Sequence, residues 1–378
     1  MTVDRWRLRE LTLAVTVACA AIGLGELGVR LVTALDQSFG RQVVALDPLS
    51  ALIEPHGELG YRQRPGSKYH YSNGTVATSN AMGFRGPLVS VAKPPDTFRI
   101  VLLGESTTHG WGVNDDETID TYMREALTEG YPARKFEVVN LAFDGYDAYQ
   151  QYERLQSDGL RLEPDLLIVH AGVNDVRNAR FPNLQDHDPR TILYAKILSI
   201  QRETARHGVG AWTWIKHHSY LARLPGLVRG RLGSASGRTT TLAVTPNPQA
   251  IDYFAVNLGR IAELVRSRAT PIVFSTPPSA IGTHYTQHDT SMRSYWIGDA
   301  ATTQSYRDSL AARMRHLAVE LQQEGRPVVY IRPQLPGELF LDDCHPTAAG
   351  NRQVALDFVA AAAPFFARGA HAAGAGRD

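Results

Sequence analysis

The sequence predicts an α/β fold built on a parallel sheet with helices on both faces. Five short apolar runs, rich in branched residues and bounded by Gly or Pro, are typical of buried parallel strands. They lie at 98–104, 136–142, 165–172, 271–278 and 328–333. Helix-like stretches separate them at 118–129, 148–161, 252–268 and 305–324, and a last one follows at 347–363. This alternation implies right-handed crossovers and a doubly wound sheet.

Length and charge exclude several classes of protein. A chain of 378 residues can bury a large core, so one domain of roughly 250 residues with appendages fits. Lys and Arg number 39 against 38 Asp and Glu, which gives a formal charge of +1. Such a balance provides no overall field for nucleic acid, so no nucleic-acid partner is expected.

The N-terminal segment predicts a membrane helix. Residues 11–25 carry no charge, and the apolar pattern continues beyond Glu26, which can pair with Arg30 at i,i+4. Arginines precede the segment, so the positive-inside tendency leaves residues 1–10 as a cytoplasmic stub and places the bulk of the chain outside the cytoplasm. We expect an uncleaved signal anchor at 11–33. A cleaved signal peptide, which would release a secreted protein, and a buried amphipathic helix are the alternatives.

Two segments interrupt the alternating pattern. Residues 34–97 hold many turn formers and are expected to be an extracytoplasmic lead-in that packs on the main domain, with a loosely ordered linker as the alternative. The main domain is predicted at 98–368, with an insertion at 178–250 and a flexible tail at 369–378. Within the insertion, Trp212, Trp214 and neighbouring basic residues favour an amphipathic helix. That helix could be a lid, lie on a bilayer or simply pack on the domain.

The segment GESTTHG at 104–110 supplies a candidate nucleophile. Ser106 directly follows the first strand, so its side chain should project from the carboxyl edge of the sheet at a helix start. The first backbone amides of a helix are unpaired and can stabilise an oxyanion. A serine hydroxyl is a weak nucleophile and needs a base. Alone, the segment is more typical of a helix N-cap serine after a glycine turn.

The segment DDCHP at 342–346 supplies the base. Asp342 precedes His345 by three residues, so its carboxylate can hold one ring nitrogen while the other takes the serine proton. Asp343 is the rival orienting group. Pro346 suits the first position of the last helix, which places the pair on the loop before it.

Two further residues are candidate oxyanion donors. Asn174, in GVND after the third strand, has a side-chain amide that stays neutral at every working pH. Gly145, after the second strand, offers a backbone amide with no side chain to block a substrate. Each such donor typically contributes on the order of 3 kcal/mol to transition-state stabilisation.

Taken together, these segments resemble the blocks of the SGNH, or GDSL-like, hydrolase superfamily. GESTTHG is similar to its first block, NLAFDGY to the second, GVND to the third and DDCHP to the last. The chain departs from the usual pattern at Glu105, where Asp is common, and at Ala142, where a second glycine is common. The N-terminal helix and the GFRG lead-in are similar to membrane-tethered bacterial members.

The resemblance implies a three-layer α/β/α sandwich with a flavodoxin-like, five-stranded parallel sheet. It also implies a catalytic triad of Ser106, Asp342 and His345, and an oxyanion hole formed by Ser106, Gly145 and Asn174.

The expected function is therefore a serine ester hydrolase that acts through an acyl-enzyme on Ser106. Acetyl or other short acyl groups on envelope glycans or small esters are the expected substrates. An O-acyltransferase using the same triad and an inert glycan-binding protein are the alternatives. No cofactor or metal is expected, since the pair His284 and His288 is more typical of a surface loop or helix than of a metal site. The oligomeric state is left open.

Overall fold

The computed structural model describes residues 5–35, 43, 52–71, 73–181, 184, 206–226, 228, 245–281 and 297–366. These residues form two compact units. The first unit contains 5–35, 43, 71, 73–74, 206–226 and 228, and the second unit contains the rest. His284, His288, the tail at 369–378 and much of the insertion lie outside the described residues.

The helices and strands are numbered in chain order. They are α1 (Arg5–Leu35), β1 (Ile53–His56), β2 (Gly60–Gln63), β3 (Lys68–His70), β4 (Val76–Thr78), β5 (Thr97–Gly104), α2 (Ser106–His109), α3 (Ile119–Gly130), β6 (Lys135–Asn140), α4 (Ala148–Arg154), β7 (Leu166–His170), α5 (Ala211–His218), α6 (Gln249–Leu264), β8 (Ile272–Ser275), α7 (Ala300–Gln323), β9 (Val328–Ile331) and α8 (Ala348–Phe366).

The second unit is built on a five-stranded sheet of order β6-β5-β7-β8-β9, in which all neighbouring strands are parallel. The predicted fold class is confirmed, and each of the five apolar runs overlaps one strand. The run at 271–278 is longer than its strand, which ends at Ser275. Pro277 and Pro278 follow shortly and have no amide hydrogen to donate to a ladder.

Helices cover both faces of this sheet. Alternate residues of a strand point to opposite faces, so Val169 and Ile168 of β7 enter different clusters. Val169 packs in a core with Leu258 of α6 and Leu310 of α7. Ile168 packs in a core that includes residues of α3 and α8, among them Phe358. The result is the expected three-layer arrangement.

The lead-in forms two short antiparallel hairpins, β1-β2 and β3-β4. It is joined to the rest of the second unit by Arg85, whose side chain is buried. The Arg85 guanidinium donates to the carbonyls of His109 and Val113, at 2.9 and 2.7 Å, and to the carboxylate of Asp115 at 2.9 Å. A buried guanidinium needs such partners, so the lead-in is held next to α2.

The first unit consists mainly of α1 and residues 206–226 of the insertion. From Arg9 to Leu35, α1 is long and apolar enough to cross a membrane, judged by length and composition. The predicted pair between Glu26 and Arg30 is present, with 2.7 Å from the Arg30 Nε to the Glu26 carboxylate. The insertion supplies α5, which contains Trp212 and Trp214. A lid role for it stays a prediction.

Candidate active site

Ser106 is the first residue of α2 and comes two residues after the end of β5. The turn between strand and helix is tight because Gly104 leaves room for the helix. A Cβ added at Gly104 would lie 2.1 Å from the Thr108 Oγ1 and 3.1 Å from the His170 carbonyl oxygen. The nucleophile candidate therefore lies where the sequence analysis expected it, at the carboxyl edge of the sheet.

The structure brings Ser106, His345 and Asp342 together in one chain of hydrogen bonds. The Ser106 Oγ lies 2.8 Å from the His345 Nε2, although the two residues are 239 positions apart. The His345 Nδ1 lies 2.7 Å from the Asp342 Oδ2 and 2.9 Å from its Oδ1. With Nδ1 holding its proton for Asp342, Nε2 can accept one from the serine.

A local turn fixes the Asp342 side chain. Its Oδ1 accepts hydrogen bonds from the backbone amides of Cys344, at 3.0 Å, and His345, at 2.9 Å. The loop ends differently from the expectation for Pro346. That residue forms a β-bridge with Phe340, and α8 begins only at Ala348. The bridge keeps Pro346 extended, so it cannot be the first helical residue.

Burial and charge set the protonation of the pair. Burial by itself lowers the pKa of His345, but the charge and hydrogen bond of Asp342, with the charges of Asp343 and Asp144, raise it, so the net pKa lies above the ordinary 6.5. Burial by itself raises the pKa of Asp342, but His345 and the two amides bring the net value below the ordinary one. Asp342 is thus ionised at neutral pH and can stabilise the imidazolium that forms during proton transfer.

Asp343, the rival orienting residue, faces a different partner. Its Oδ2 lies 3.2 Å from a guanidinium nitrogen of Arg307, and both side chains are buried. Arg307 also donates to the Ser279 hydroxyl at 2.9 Å. The geometry therefore favours Asp342 as the partner of His345.

The oxyanion candidates follow the two strands that flank β5. Gly145 lies in the loop after β6, and Asn174 starts the turn after β7. Gly145 has φ of 81°, a left-handed conformation that favours glycine. The Asn174 Nδ2 donates to the Tyr146 carbonyl at 3.0 Å. A side-chain amide has two hydrogens, so this bond orients Asn174 and leaves a second hydrogen for a substrate oxygen.

Glu105 positions Asn174, a role that the sequence analysis did not assign. Its two carboxylate oxygens accept the backbone amides of Val173, at 2.8 Å, and Asn174, at 2.6 Å. Burial raises the pKa of Glu105 and the two amide hydrogen bonds lower it, and the net pKa is raised to about 7. In the sequence, the only indication of a role for Glu105 is its position next to Ser106. The fold shows that its side chain reaches the loop after β7.

The lead-in also reaches the oxyanion loop, which was not expected. The Tyr61 hydroxyl donates to the Asp144 carbonyl at 2.7 Å. The Asp144 carboxylate lies 3.0 Å from the Nδ1 of His109, whose Nε2 lies 3.2 Å from the Gln63 Oε1. All four residues are buried. Nothing in the spacing of β2 along the chain indicates these contacts.

One group of side chains in the described ranges has the spacing of a metal site. Ligand atoms of Asp342, Cys344 and His345 lie within 4.8 Å of one another. However, the Nδ1 of His345 already faces Asp342. Burial and the Asp343 and Asp342 carboxylates raise the pKa of the Cys344 thiol well above its ordinary value, and metals bind the thiolate. These donors fit a triad better than a metal.

Comparison with known proteins identifies the family. A model described as the GDSL-like lipase/acylhydrolase family matches residues 102–353, about two thirds of the chain. The chain belongs to this family. It is accordingly a carboxylic ester hydrolase, as the sequence analysis expected, and the matched region contains the whole proposed triad and both oxyanion candidates. A comparison with curated proteins finds no match.

Several solved structures are similar to this GDSL-like hydrolase. An acetylxylan esterase from Geobacillus stearothermophilus, solved as a catalytic mutant, is 14% identical with a TM-score of 0.40, covering 70% of this chain and 93% of its own. A putative GDSL-like lipase from Parabacteroides merdae is 16% identical with a TM-score of 0.40, covering 73% and 99%. An α/β hydrolase from the metagenome of Lake Arreo is 16% identical with a TM-score of 0.39, covering 70% and 95%.

Proposed function

We propose that this ester hydrolase works through an acyl-enzyme on Ser106. The observation that carries the proposal is the 2.8 Å contact between the Ser106 Oγ and the His345 Nε2, with Asp342 on the other side of the ring. Because the His345 Nε2 can accept the serine proton, the Ser106 Oγ can attack an ester carbonyl carbon as His345 becomes charged.

The oxyanion formed by this attack would be held by three donors. They are the backbone amides of Ser106 and Gly145 and the side-chain amide of Asn174. Support comes from sheet order, since β6, β5 and β7 are neighbours and their carboxyl ends share one edge. His345 then gives its proton to the departing alcohol. Water, activated by the same imidazole, attacks the acyl-enzyme and restores the Ser106 hydroxyl.

The proposed substrates are acetyl or other short acyl esters on envelope glycans or small alcohols. The location that we propose for the enzyme supports this class. We propose that α1 is a signal anchor, with the arginines at its start in the cytoplasm and the second unit outside the membrane. Carbonate extraction of membranes tests the anchor. Protease treatment of intact cells tests the orientation, because the protease does not cross the membrane and cleaves the second unit only if that unit lies outside.

Hydrolysis of an activated acetyl ester tests the reaction. Ser106→Ala should abolish turnover of the full-length enzyme, with Ser309→Ala, an exposed serine on α7, as the matched control. Turnover by the Ser106 variant at the control rate would overturn the proposal. Product analysis with an acyl donor, with and without a glycan acceptor, then shows whether water or a sugar hydroxyl receives the acyl group.

A further inference from the structure

The first unit contains an intramolecular contact between α1 and the segment after α5. The Glu26 carboxylate of α1 accepts hydrogen bonds from the Ser219 hydroxyl at 2.7 Å and from the backbone amides of Tyr220 and Leu221 at 3.0 and 2.9 Å. It also accepts one from the Arg30 Nε at 2.7 Å. One carboxylate thus holds the start of a turn whose residues are almost 200 positions away.

Arginines complete this contact. Arg30 donates to the carbonyl of His218, the last residue of α5, at 3.0 Å, and its guanidinium lies over the Tyr220 ring at 4.7 Å. Arg223 donates to the carbonyls of Lys216 and His217, at 2.7 and 2.6 Å. These bonds satisfy carbonyls at the end of α5 that have no partner inside the helix.

Packing fits the polar contacts. A Cβ added at Gly25 would lie 3.1 Å from the Leu221 Cδ2, so the glycine allows the turn to approach α1 closely. On α5, the large apolar side chains are left exposed: Trp212 by 57%, Trp214 by 54% and Ile215 by 40%. Lys216 lies over the Trp212 ring at 5.8 Å.

The position of Glu26 along α1 indicates that lipid covers the exposed apolar side chains of α5. Arg9 and Glu26 are 17 positions apart, which corresponds to about 26 Å of helix, close to the roughly 30 Å of a bilayer's hydrocarbon core. In an anchor whose hydrocarbon core begins at Arg9, the hydrogen-bonded Glu26 lies near the outer boundary of that core, where Trp side chains and basic residues are favoured, and the apolar residues after Glu26 continue into the interface.

We propose that α5 lies in the outer membrane–water interface, with Trp212, Trp214 and Ile215 among the lipids and Glu26 fixing its depth. This inference depends on the proposed membrane anchor. It gives the protein a second membrane contact, distant in sequence from the first, and a fixed position for the helix at the lipid surface.

Fluorescence quenching in phosphatidylcholine vesicles tests the proposal on the full-length chain. In a Cys19→Ala background, an environment-sensitive dye is placed at Ala211→Cys or Ile215→Cys. Exposed Gln323→Cys on α7 is the reference for a label that aqueous iodide reaches. We expect nitroxides near the lipid headgroups to quench the α5 labels at least threefold more than nitroxides deep in the acyl chains, and iodide to quench them at least threefold less than the reference.

Vesicle flotation separates this proposal from the anchor. If the chain floats with vesicles but iodide quenches the α5 labels as strongly as the reference, the interfacial position is wrong and the anchor stands. A chain that does not float contradicts both. Energy transfer between α5 labels that persists on dilution with lipid would show a second copy covering this face, which also overturns the proposal.

Glu26→Gln tests the contact between Glu26 and the turn that follows α5. The amide keeps the shape of the side chain but presents an NH2 group to donors that need an acceptor, so the turn should detach while flotation is unchanged. We expect lipid quenching of the Ala211→Cys label to fall at least twofold. Glu10→Gln, an exposed residue of α1, is the control and should change nothing. Equal quenching in both variants would contradict the role of Glu26.

Discussion

Tyr61 and Asp144 are joined by a 2.7 Å hydrogen bond from the phenol hydroxyl to the backbone carbonyl directly before Gly145. The contact is reciprocal, since the Tyr146 hydroxyl donates to the Tyr61 carbonyl at 3.0 Å. The Tyr61 and Tyr146 rings also pack together, with centroids 5.4 Å apart. The lead-in strand β2 thus holds both ends of the peptide segment that carries a proposed oxyanion donor.

Tyr61→Phe should lower kcat of the ester hydrolase about tenfold and change KM less than twofold. The loss of the hydroxyl leaves a buried carbonyl without this donor, which typically costs about 1–3 kcal/mol, and lets the Gly145 amide move. Steady-state kinetics with an activated acetyl ester measures the effect. Tyr122→Phe on the partly exposed side of α3 is the control. Equal kcat for the two variants would show that the contact does not position the loop.

Asp342→Asn should reduce kcat by about 10³- to 10⁴-fold and move the acidic limb of the pH–rate profile to lower pH. Wild-type activity is lost as pH falls through the pKa of His345, which lies above 6.5, because the protonated ring cannot act as a base. Without the Asp342 charge, burial dominates and lowers that pKa. Asp343→Asn serves as comparison, since Asp343 pairs with Arg307. The Asp343 charge also raises the pKa of His345, though less than Asp342 does, so a smaller movement is expected for Asp343→Asn. An acidic limb that moves further in Asp343→Asn than in Asp342→Asn would assign the orienting role to Asp343.

Glu105→Gln should lower the free energy of unfolding by about 2 kcal/mol. Both Glu105 oxygens accept backbone amides, whereas glutamine has only one acceptor oxygen and leaves one of the buried amides, Val173 or Asn174, facing an NH2 group. Denaturant unfolding in detergent measures the change, with Glu125→Gln at an exposed position of α3 as control. A Glu105 variant as stable as the control would mean that the two hydrogen bonds contribute nothing.

His170 should make the protein less stable in acid. Burial lowers the pKa of His170 to about 3, from an ordinary 6.5. Between these values the unfolded chain binds a proton that the folded protein does not, so this contribution is complete above pH 6.5 and decreases as pH falls. In this range the free energy of unfolding decreases by up to about 1.4 kcal/mol for each unit by which the pH falls.

Unfolding curves at pH 7, 6 and 5 measure this slope in the wild type and in His170→Asn. The variant keeps a group that can pair with the Ser275 hydroxyl but cannot titrate. Its stability at pH 7 can differ from that of the wild type, so the slope is the test. A variant with the full wild-type slope would show that other groups cause the acid sensitivity.

The sheet and the candidate catalytic residues at its carboxyl edge could be predicted because they depend on short sequence patterns. The apolar run that becomes β5, the glycine at 104 and the Asp342 to His345 spacing each indicate a structure within a few residues. The triad and oxyanion roles of these residues stay predictions, although the geometry brings the triad side chains into contact.

Other features depend on contacts between distant parts of the chain. The strands of the lead-in are only three or four residues long, too short for a periodic pattern. The buried Tyr61 and Arg85 hold the lead-in through hydrogen bonds to Asp144 and His109, which are distant in sequence. Glu105 reaches Asn174 only once β5 and β7 are paired. The start of α8 was misplaced because Pro346 pairs with Phe340 rather than entering the helix.

The most direct test of the account is covalent labelling of the full-length enzyme with a fluorophosphonate, located by peptide mass spectrometry. If His345 activates Ser106, we expect one adduct per chain, on Ser106, formed at least 100-fold more slowly in His345→Ala and absent in Ser106→Ala. An adduct on another serine, or a labelling rate at Ser106 that does not depend on His345, would contradict the claim that these two side chains form the reactive centre.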